Sequence, residues 1–467
     1  MAEYVRYMYL AVAMIALLLL FWRPIAGLVL IAAIFPMDSA LSPRLPVPGI
    51  NTETVLLGVA FAVTLLRFGP RLPPLRYSGP VLAFILMMGV AFALAIPWAR
   101  NVRMAESESA IWVVFKGWKS VTFSALAFFS TYWWFSQERD RQRLLEALSV
   151  GMLISAVAGF GDLALKINQA GVDGRAGGLQ VDPNVLACAL GSMMFVPLYL
   201  ALYARDLSLV RRAFHAVSYA LAFVALVLTL SRGNYLAIVL AHMVFFALVN
   251  RTLLFATVVA VALLSTVAFP LLPTNVRERI ELTVSSGSGY RVAGAERLES
   301  STAYRLVLAR VGSDMFVESP LWGHGLNFFY FHVPEYGAKY GTLEVKDTHN
   351  LVLKVAVEQG AIGLAALGWL VFAVLRCGRR LWRADTSEHY VGAVLLACGT
   401  HLLIANLSTT AFLSSKDISL DFWILFALSA RAYVERVSVA EAPSPAPVAL
   451  ARWRRFSHRI PAAASQQ

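Results

Sequence analysis

The chain has little charge, few cysteines and only one long polar stretch. Of its 467 residues 15% are Asp, Glu, Lys or Arg, while 58% are hydrophobic. A composition this apolar excludes a row of soluble domains, which the length alone would allow. The three cysteines, Cys188, Cys377 and Cys398, lie in or beside apolar runs with neither metal-ligand spacing nor a pairing pattern. No Asp-x-Asp pair occurs and no carboxylate-rich cluster marks a metal centre, so no cofactor and no divalent ion is expected. The apolar runs lack the alternation of a membrane barrel. The N-terminal run from Tyr9 to Phe21 has no small-residue cleavage site leading into a soluble domain, and reads as a retained membrane segment.

What is there is a series of apolar runs near 54–68, 79–97, 110–135, 145–166, 183–204, 214–230, 233–249, 252–272, 350–375, 390–410 and 418–434. About 20 apolar residues are needed to cross roughly 30 Å of hydrocarbon. Backbone groups find no water there, so each run is expected to be a helix. The segment 7–36 is divided by Arg23-Pro24 and reads either as one broken span or as a tight hairpin. The expected fold is therefore all-α, a polytopic membrane bundle of about 12 helices. It divides into N-terminal transmembrane helices (1–272), a large loop region (273–349), C-terminal transmembrane helices (350–434) and a basic tail (435–467).

The net charge of +12 does not point to nucleic acid, because of where it lies. Arg67, Arg71 and Arg76 share one short loop; Arg139, Arg141 and Arg143 another; Arg205, Arg211 and Arg212 a third. Arg251 marks a fourth, and Arg376, Arg379, Arg380 and Arg383 a fifth. These loops alternate through the spans onto one side, which the positive-inside bias makes cytoplasmic. The tail, with its linker Glu441 to Pro447 and Trp453-Arg454-Arg455-Phe456, falls on that side and suits an anionic membrane surface. The other side receives 37–53, 98–109, 167–182, the turn at Ser231-Arg232-Gly233, the long segment 273–349 and a short loop near 411–417. That long segment is expected to cap the bundle, with a helix over 302–318 ended by Pro320.

Five features on that second side exceed plain membrane architecture. Arg175 sits in Gly174-Arg175-Ala176-Gly177-Gly178, ahead of Asp182-Pro183-Asn184, where Asp182 suits an N-cap. Arg232 is wedged between two apolar helices, where a cation needs an anionic partner or a route to water. Arg305 shares a helix face with Ala309 and Gly312, whose small size suits either a ligand or close helix packing. The loop Ser319-Pro320-Leu321-Trp322-Gly323-His324-Gly325-Leu326 reads as a turn, or more weakly as a phosphate loop. Last, Asp347-Thr348-His349-Asn350 leads into an apolar helix containing Glu358, Gly360 and Gly363. With Thr348 as N-cap, His349 would lie in the first turn, where the helix dipole would keep it neutral and fit to act as a base. Glu358, nine residues on, would face away from it, leaving Asp347 or a distant residue to orient the ring. His324 and His332 are second-tier candidates. His215, His242, His389 and His401 fall in spans or on the cytoplasmic side.

Arginine suits phosphate because its planar fork donates two parallel hydrogen bonds and stays charged. Three arginines and one histidine on one side therefore suggest an anionic, lipid-linked substrate with a phosphate leaving group. The pieces Arg175-Ala-Gly-Gly with Asp182-Pro-Asn184, Ser231-Arg-Gly-Asn-Tyr-Leu-Ala237, Arg305 through Ser319-Pro-Leu-Trp-Gly-His-Gly325, and His349-Asn350 with Glu358-x-Gly-x-x-Gly363 occur in order. In this respect the chain resembles the O-antigen ligase and polymerase superfamily. The resemblance covers roughly residues 170–365.

It implies transfer of a glycan from undecaprenyl pyrophosphate to a sugar hydroxyl of lipid A core, at the periplasmic face of the bacterial inner membrane. In that picture His349 is the base, Arg232 and Arg305 hold the pyrophosphate, and Arg175 supports them. Asp347, His324 and Asn350 are supporting candidates, and the partners are the lipid-linked donor, the lipid A core acceptor and membrane lipids. Within the same superfamily, O-antigen polymerases and protein O-oligosaccharyltransferases remain alternatives; the short loop at 167–182 followed by the much longer one favours the ligase arrangement. A transporter or flippase for an anionic lipid-linked substrate would share the composition, but would carry internal repeats and polar residues near the midplane. The polar cluster at one face argues against that, and against a purely structural subunit.

Overall fold

The computed structural model describes residues 2–41, 50–102, 109–172, 174–266, 300–384 and 388–441. Among these residues there is no strand. The helices are α1 (Ala2–Trp22), α2 (Pro24–Ile34), α3 (Asp38–Leu41), α4 (Thr52–Phe68), α5 (Leu75–Ala99), α6 (Ala110–Trp134), α7 (Glu138–Leu165), α8 (Gln169–Val172), α9 (Pro183–Met193) and α10 (Phe195–Leu202). They continue as α11 (Leu209–Leu228), α12 (Arg232–Val249), α13 (Arg251–Thr266), α14 (Ser300–Glu318), α15 (Phe328–Gly337), α16 (Leu351–Trp382), α17 (His389–Ala405), α18 (Ala411–Ser414) and α19 (Lys416–Glu441). The all-α, multi-span fold expected from the hydropathy is what the chain adopts. Seven helical segments among the described residues are both long and apolar enough to cross a membrane: 4–22, α5, α7, α9 with α10, α11, α12 and α16. The expected number of about twelve took 7–36 as one span and includes further helices that are shorter, such as α17, or less apolar along their length, such as α6 with Lys116 and Lys119. Residues 267–299, which include the end of the expected span 252–272 and the start of the loop region, and the tail beyond Glu441 lie outside the described residues.

The membrane reading also rests on where the apolar surface points. Leu66, Leu209 and Phe255 are 86%, 79% and 70% exposed, an arrangement that water would penalise and lipid would not. Inside, α9 and α10 are almost wholly surrounded, from Leu186 to Leu200. An aromatic cluster joins α5, α6 and α19, with Phe84 against Trp423 at 5.3 Å and Phe128 against Phe426 at 5.2 Å between ring centroids. At the front of the chain, Pro24 starts a new helix after Arg23 leaves the helical conformation, since proline lacks the N–H that would continue α1. α1 and α2 then fold against each other, and the Tyr9 hydroxyl reaches the Asp38 carboxylate. Of the two readings of 7–36, the structure has the hairpin.

Polar contacts collect at two ends of the bundle. At one, the buried Arg141 guanidinium bridges Glu388 and Glu435, each at 2.7 Å. Arg211 pairs with Glu146 at 2.5 Å, Trp133 Nε1 donates to the Arg71 carbonyl, and Trp382 Nε1 donates to that of Leu248. These contacts gather arginine-bearing loops that the sequence assigns to a common side. The other end holds 167–182, the turn before α12, and α14 with α15. The helix expected over 302–318 spans Ser300–Glu318, and it builds a second small core with α15, including Val307, Val311, Met315, Phe329 and Val333. That core is seated on Val357 and Leu353 of α16 and on Trp98 of α5, so this part of the chain rests on the bundle.

Candidate functional site

Four segments converge at this second end. The first is ordered by the Asp162 carboxylate, which is 1% exposed and accepts the backbone N–H groups of Asn168, Gly177 and Gly178 at 2.7–2.9 Å. Gly177 is required there, because a Cβ would stand 2.5 Å from the Val181 carbonyl oxygen. The loop docks on the end of α11, with Ala176 N–H donating to the Leu228 carbonyl and Arg175 Nε to that of Thr229. Asp182 caps α9 as expected, accepting from Asn184 N–H at 2.7 Å, with Pro183 in the first turn.

The second segment is the turn before α12. Leu230 adopts φ +53°, and Ser231 donates its hydroxyl to Asn184 Oδ1 at 2.9 Å. Arg232 is thereby the first residue of α12, where the exposed N–H groups already favour an anion. Gly233 lies hard against Ser408, 2.2 Å from where a Cβ would meet its Oγ. The third segment is α14, with Tyr304 and Arg305. Of the two readings of its small residues, Gly312 serves close packing: a Cβ there would sit 2.7 Å from the Leu353 side chain.

The fourth segment corrects the expectation for His349. Asn350, not Thr348, is the N-cap of α16, and its Oδ1 accepts from Leu353 N–H at 3.0 Å. Thr348 instead donates its hydroxyl to the Asn350 carbonyl. His349 therefore precedes the helix, in the left-handed region at φ +49°. Its imidazole pKa is still held below the ordinary value of 6.5, but the dominant cause is burial, followed by the Arg305 guanidinium. Lys346 adds to this, and Asp347 and Asp182 oppose it. The neutral ring follows from desolvation and cationic neighbours, not from a place in the first turn.

Arg175, Arg232, Arg305 and His349 all line one cavity of about 310 Å³. Tyr304, Ser301 and Asn184 contribute to its wall, together with Lys346 and Glu344, which pair at 2.8 Å. Among the described residues the lining thus presents four cationic side chains and one carboxylate. Among the residues that line the cavity, Lys346, Glu344, Tyr304 and Ser301 were not singled out from the sequence. All four belong to stretches whose position becomes visible only once α14 is laid over α16. The sequence offered only the basic character of Lys346 beside the histidine motif.

The supporting candidates are not in the cavity wall. Asp347 accepts from Lys354 Nζ at 3.0 Å, Thr410 Oγ1 at 2.8 Å and Thr348 N–H at 2.8 Å. Burial raises its carboxyl pKa, but the Lys354 ammonium and these hydrogen bonds more than offset that and hold it below the usual range. No hydrogen bond from Asp347 to the His349 ring is seen among the described residues. His324 stacks on Phe328, 4.2 Å between centroids, and its Nε2 lies 2.8 Å from the Met315 carbonyl oxygen. His332 stacks on the same ring at 3.9 Å. Asn350 is occupied in capping and in donating to the Leu407 carbonyl. Elsewhere, His215 contacts Ser149, His242 contacts Tyr219, and His401 is buried in α17.

The glycine-rich loop is a docking device. α16 breaks at Gly360, whose φ is +65° and ψ −163°. Four backbone hydrogen bonds join the loop to that break, two donated by each side: His324 N–H to Val357 O, Gly325 N–H to Glu358 O, Ala361 N–H to Pro320 O and Ile362 N–H to Leu321 O. Gly323 and Gly325 take φ +70° and +95°, and a Cβ on either would fall 2.4–2.5 Å from backbone atoms of α16 or α5. The turn reading of this loop accounts for its glycines, and none of its residues lines the cavity.

Residues 217–368 match the family described as O-antigen ligase. The match covers about a third of the chain, and that stretch is similar to the O-antigen ligase superfamily. This is a superfamily of membrane enzymes of glycosyltransferase type. The matched stretch contains Arg232, Arg305, Lys346 and His349 of the cavity and the Gly360 break, while Arg175 and Asn184 are contributed from before it. No curated protein matches the chain.

Proposed function

We propose that the chain is an O-antigen ligase that transfers a glycan from undecaprenyl pyrophosphate to a sugar hydroxyl of lipid A core at the periplasmic face of the inner membrane. The observation that carries this reading is the meeting of Arg175, Arg232, Arg305 and a neutral-leaning His349 around one cavity. Arg232 and Arg305 bind the pyrophosphate and stabilise the charge that grows on it as the bond to the sugar lengthens. Arg175, tied by its Nε to Thr229, is a supporting contact. His349 takes the proton of the acceptor hydroxyl as its oxygen forms the new bond to the anomeric carbon. The old bond from that carbon to the pyrophosphate oxygen breaks, and the lipid pyrophosphate leaves with the electron pair. Attack opposite the leaving group inverts the anomeric centre. The mechanism asks nothing of a metal, and transfer is expected to survive EDTA.

Two features support a lipid-linked donor. The cavity is at one end of the bundle, where a headgroup would lie. An apolar groove also starts at Leu351 and Asn406, close to His349 in sequence, and continues along α16 and α17 past Leu370 and Val374. A transporter reading finds less support, because the cationic cluster is terminal and not at mid-depth.

The test uses purified full-length protein with lipid-pyrophosphate glycan and lipid A core. Wild type is expected to join glycan to lipid A core, and both His349→Ala and Arg232→Ala to lose this with folding intact. Repeats joined to each other without lipid A core would make the protein a polymerase. Transfer persisting in His349→Ala would remove the proposed base.

A further inference from the structure

We propose that Lys354 is a positioning residue, whose ammonium holds the His349 segment and the arginine-bearing helix α14 in register across the cavity. The proposal rests on the functional reading above. Lys354 lies in the first turns of α16 with its side chain 8% exposed, 3.0 Å from Asp347 Oδ1 on one side and 3.0 Å from Glu358 Oε1 on the other. The contact with Glu358 is an ion pair and not a well-directed hydrogen bond. Glu358 is fully buried.

Each carboxylate leads to a different half of the site. Asp347 is two residues before His349 and is pinned from its far side by Thr410. Asn350, just after the histidine, is pinned by the helix cap and by the Leu407 carbonyl. Between these two anchors His349 holds its left-handed conformation, which an ordinary residue keeps only when its surroundings enforce it. Glu358 stands two residues before the Gly360 break, and its own carbonyl accepts Gly325 N–H at 3.0 Å. That loop is the continuation of α14, which carries Arg305. One ammonium therefore ties the segment of the base to the helix break on which the continuation of α14 is docked.

A buried ion triad is a poor device for stability, since desolvation offsets most of the attraction and apolar packing would serve as well. Fixing register is the best-attested use of such groups. Neither Asp347, Lys354 nor Glu358 lines the cavity, so their effect on the reaction passes through the residues they hold.

The test compares full-length wild type, Lys354→Met, Lys354→Arg, His349→Ala and the neutral triple variant Asp347→Asn, Lys354→Met, Glu358→Gln, which leaves no member of the triad charged. Donor-binding sites are titrated with lipid-pyrophosphate glycan, and turnover is expressed per site. The proposal expects the triple variant to bind donor at wild-type stoichiometry while turnover per site falls tenfold or more, with Lys354→Arg recovering part of it. A merely structural role would lower the number of sites and leave turnover per site unchanged, and that result overturns the proposal. A triple variant that does not fold makes the triad a stability element and overturns it equally. If Lys354→Met alone fails to fold, the triple variant decides. Transfer retained by His349→Ala would sink the underlying functional reading and is scored separately from every Lys354 variant.

Discussion

The two ends of the bundle use arginine in opposite ways. At one end arginines meet carboxylates: Arg141 between Glu388 and Glu435, Arg211 on Glu146, Arg143 on Asp140. At the other, four cationic side chains and one carboxylate among the described residues border a cavity of about 310 Å³ beside a half-buried histidine. Arg141 and Arg232 are both next to apolar helices, and both are written in the sequence as an arginine in a short loop. Among the described residues the difference is one of setting: Arg141 is closed over by two carboxylates, whereas Arg232 and Arg305 border a cavity.

That contrast can be broken most directly at His349. His349→Ala is expected to lower turnover by about 10²–10⁴-fold, the usual worth of a positioned acid–base group, with thermal unfolding unchanged; a small effect would contradict its place as base. Next come Arg232→Ala and Arg305→Ala, each expected to cost about 10²–10³-fold in transfer, as for loss of one group stabilising developing charge, again without loss of fold. Arg141→Met should behave in the opposite way. Removing the shared partner of two buried carboxylates costs about 3–5 kcal/mol of stability, read as a lowered unfolding midpoint, while turnover of the folded fraction stays near wild type. At the weak end, Arg211→Ala removes a half-exposed pair, worth about 0–1 kcal/mol, and should be nearly silent in both assays.

A pH profile sharpens the same comparison. Because burial and Arg305 hold the His349 pKa below 6.5, the acid limb of the rate profile should lie below that value. Arg305 disfavours the protonated ring, so Arg305→Gln raises the pKa and should move the acid limb to higher pH. An unmoved limb would show that the titrating group is not His349, or that Arg305 is not its neighbour in solution.

Much of this architecture was legible in the apolar runs, because a helix is the only way for such a segment to satisfy its backbone in lipid. Asp182 and Pro183 announced the start of α9, and Pro320 the end of α14, since their effects are local. The triplet of arginines with His349 could also be picked out, because cations on that side run against the charge bias of the loops. Other things depend on long-range contact. The cap of α16 moved from Thr348 to Asn350 because the Leu407 carbonyl and Leu353 N–H together claim the asparagine side chain. Asp347 turned from a partner of His349 to a partner of Lys354 and Thr410, the latter 63 residues away. The role of Gly323, Gly325 and Gly360 became plain only when the loop was seen inserted in the helix break. His324 looked like a site residue in a glycine-rich loop, yet its ring is used in stacking on Phe328.

The most direct measurement is donor binding set against transfer, with lipid-pyrophosphate glycan titrated onto His349→Ala and onto Arg232→Ala with Arg305→Ala. The account predicts that His349→Ala binds donor about as well as wild type but transfers about 10²–10⁴-fold more slowly, while the double arginine variant loses binding that inorganic pyrophosphate otherwise displaces. Wild-type donor affinity in the double arginine variant would contradict the claim that this cavity holds the pyrophosphate.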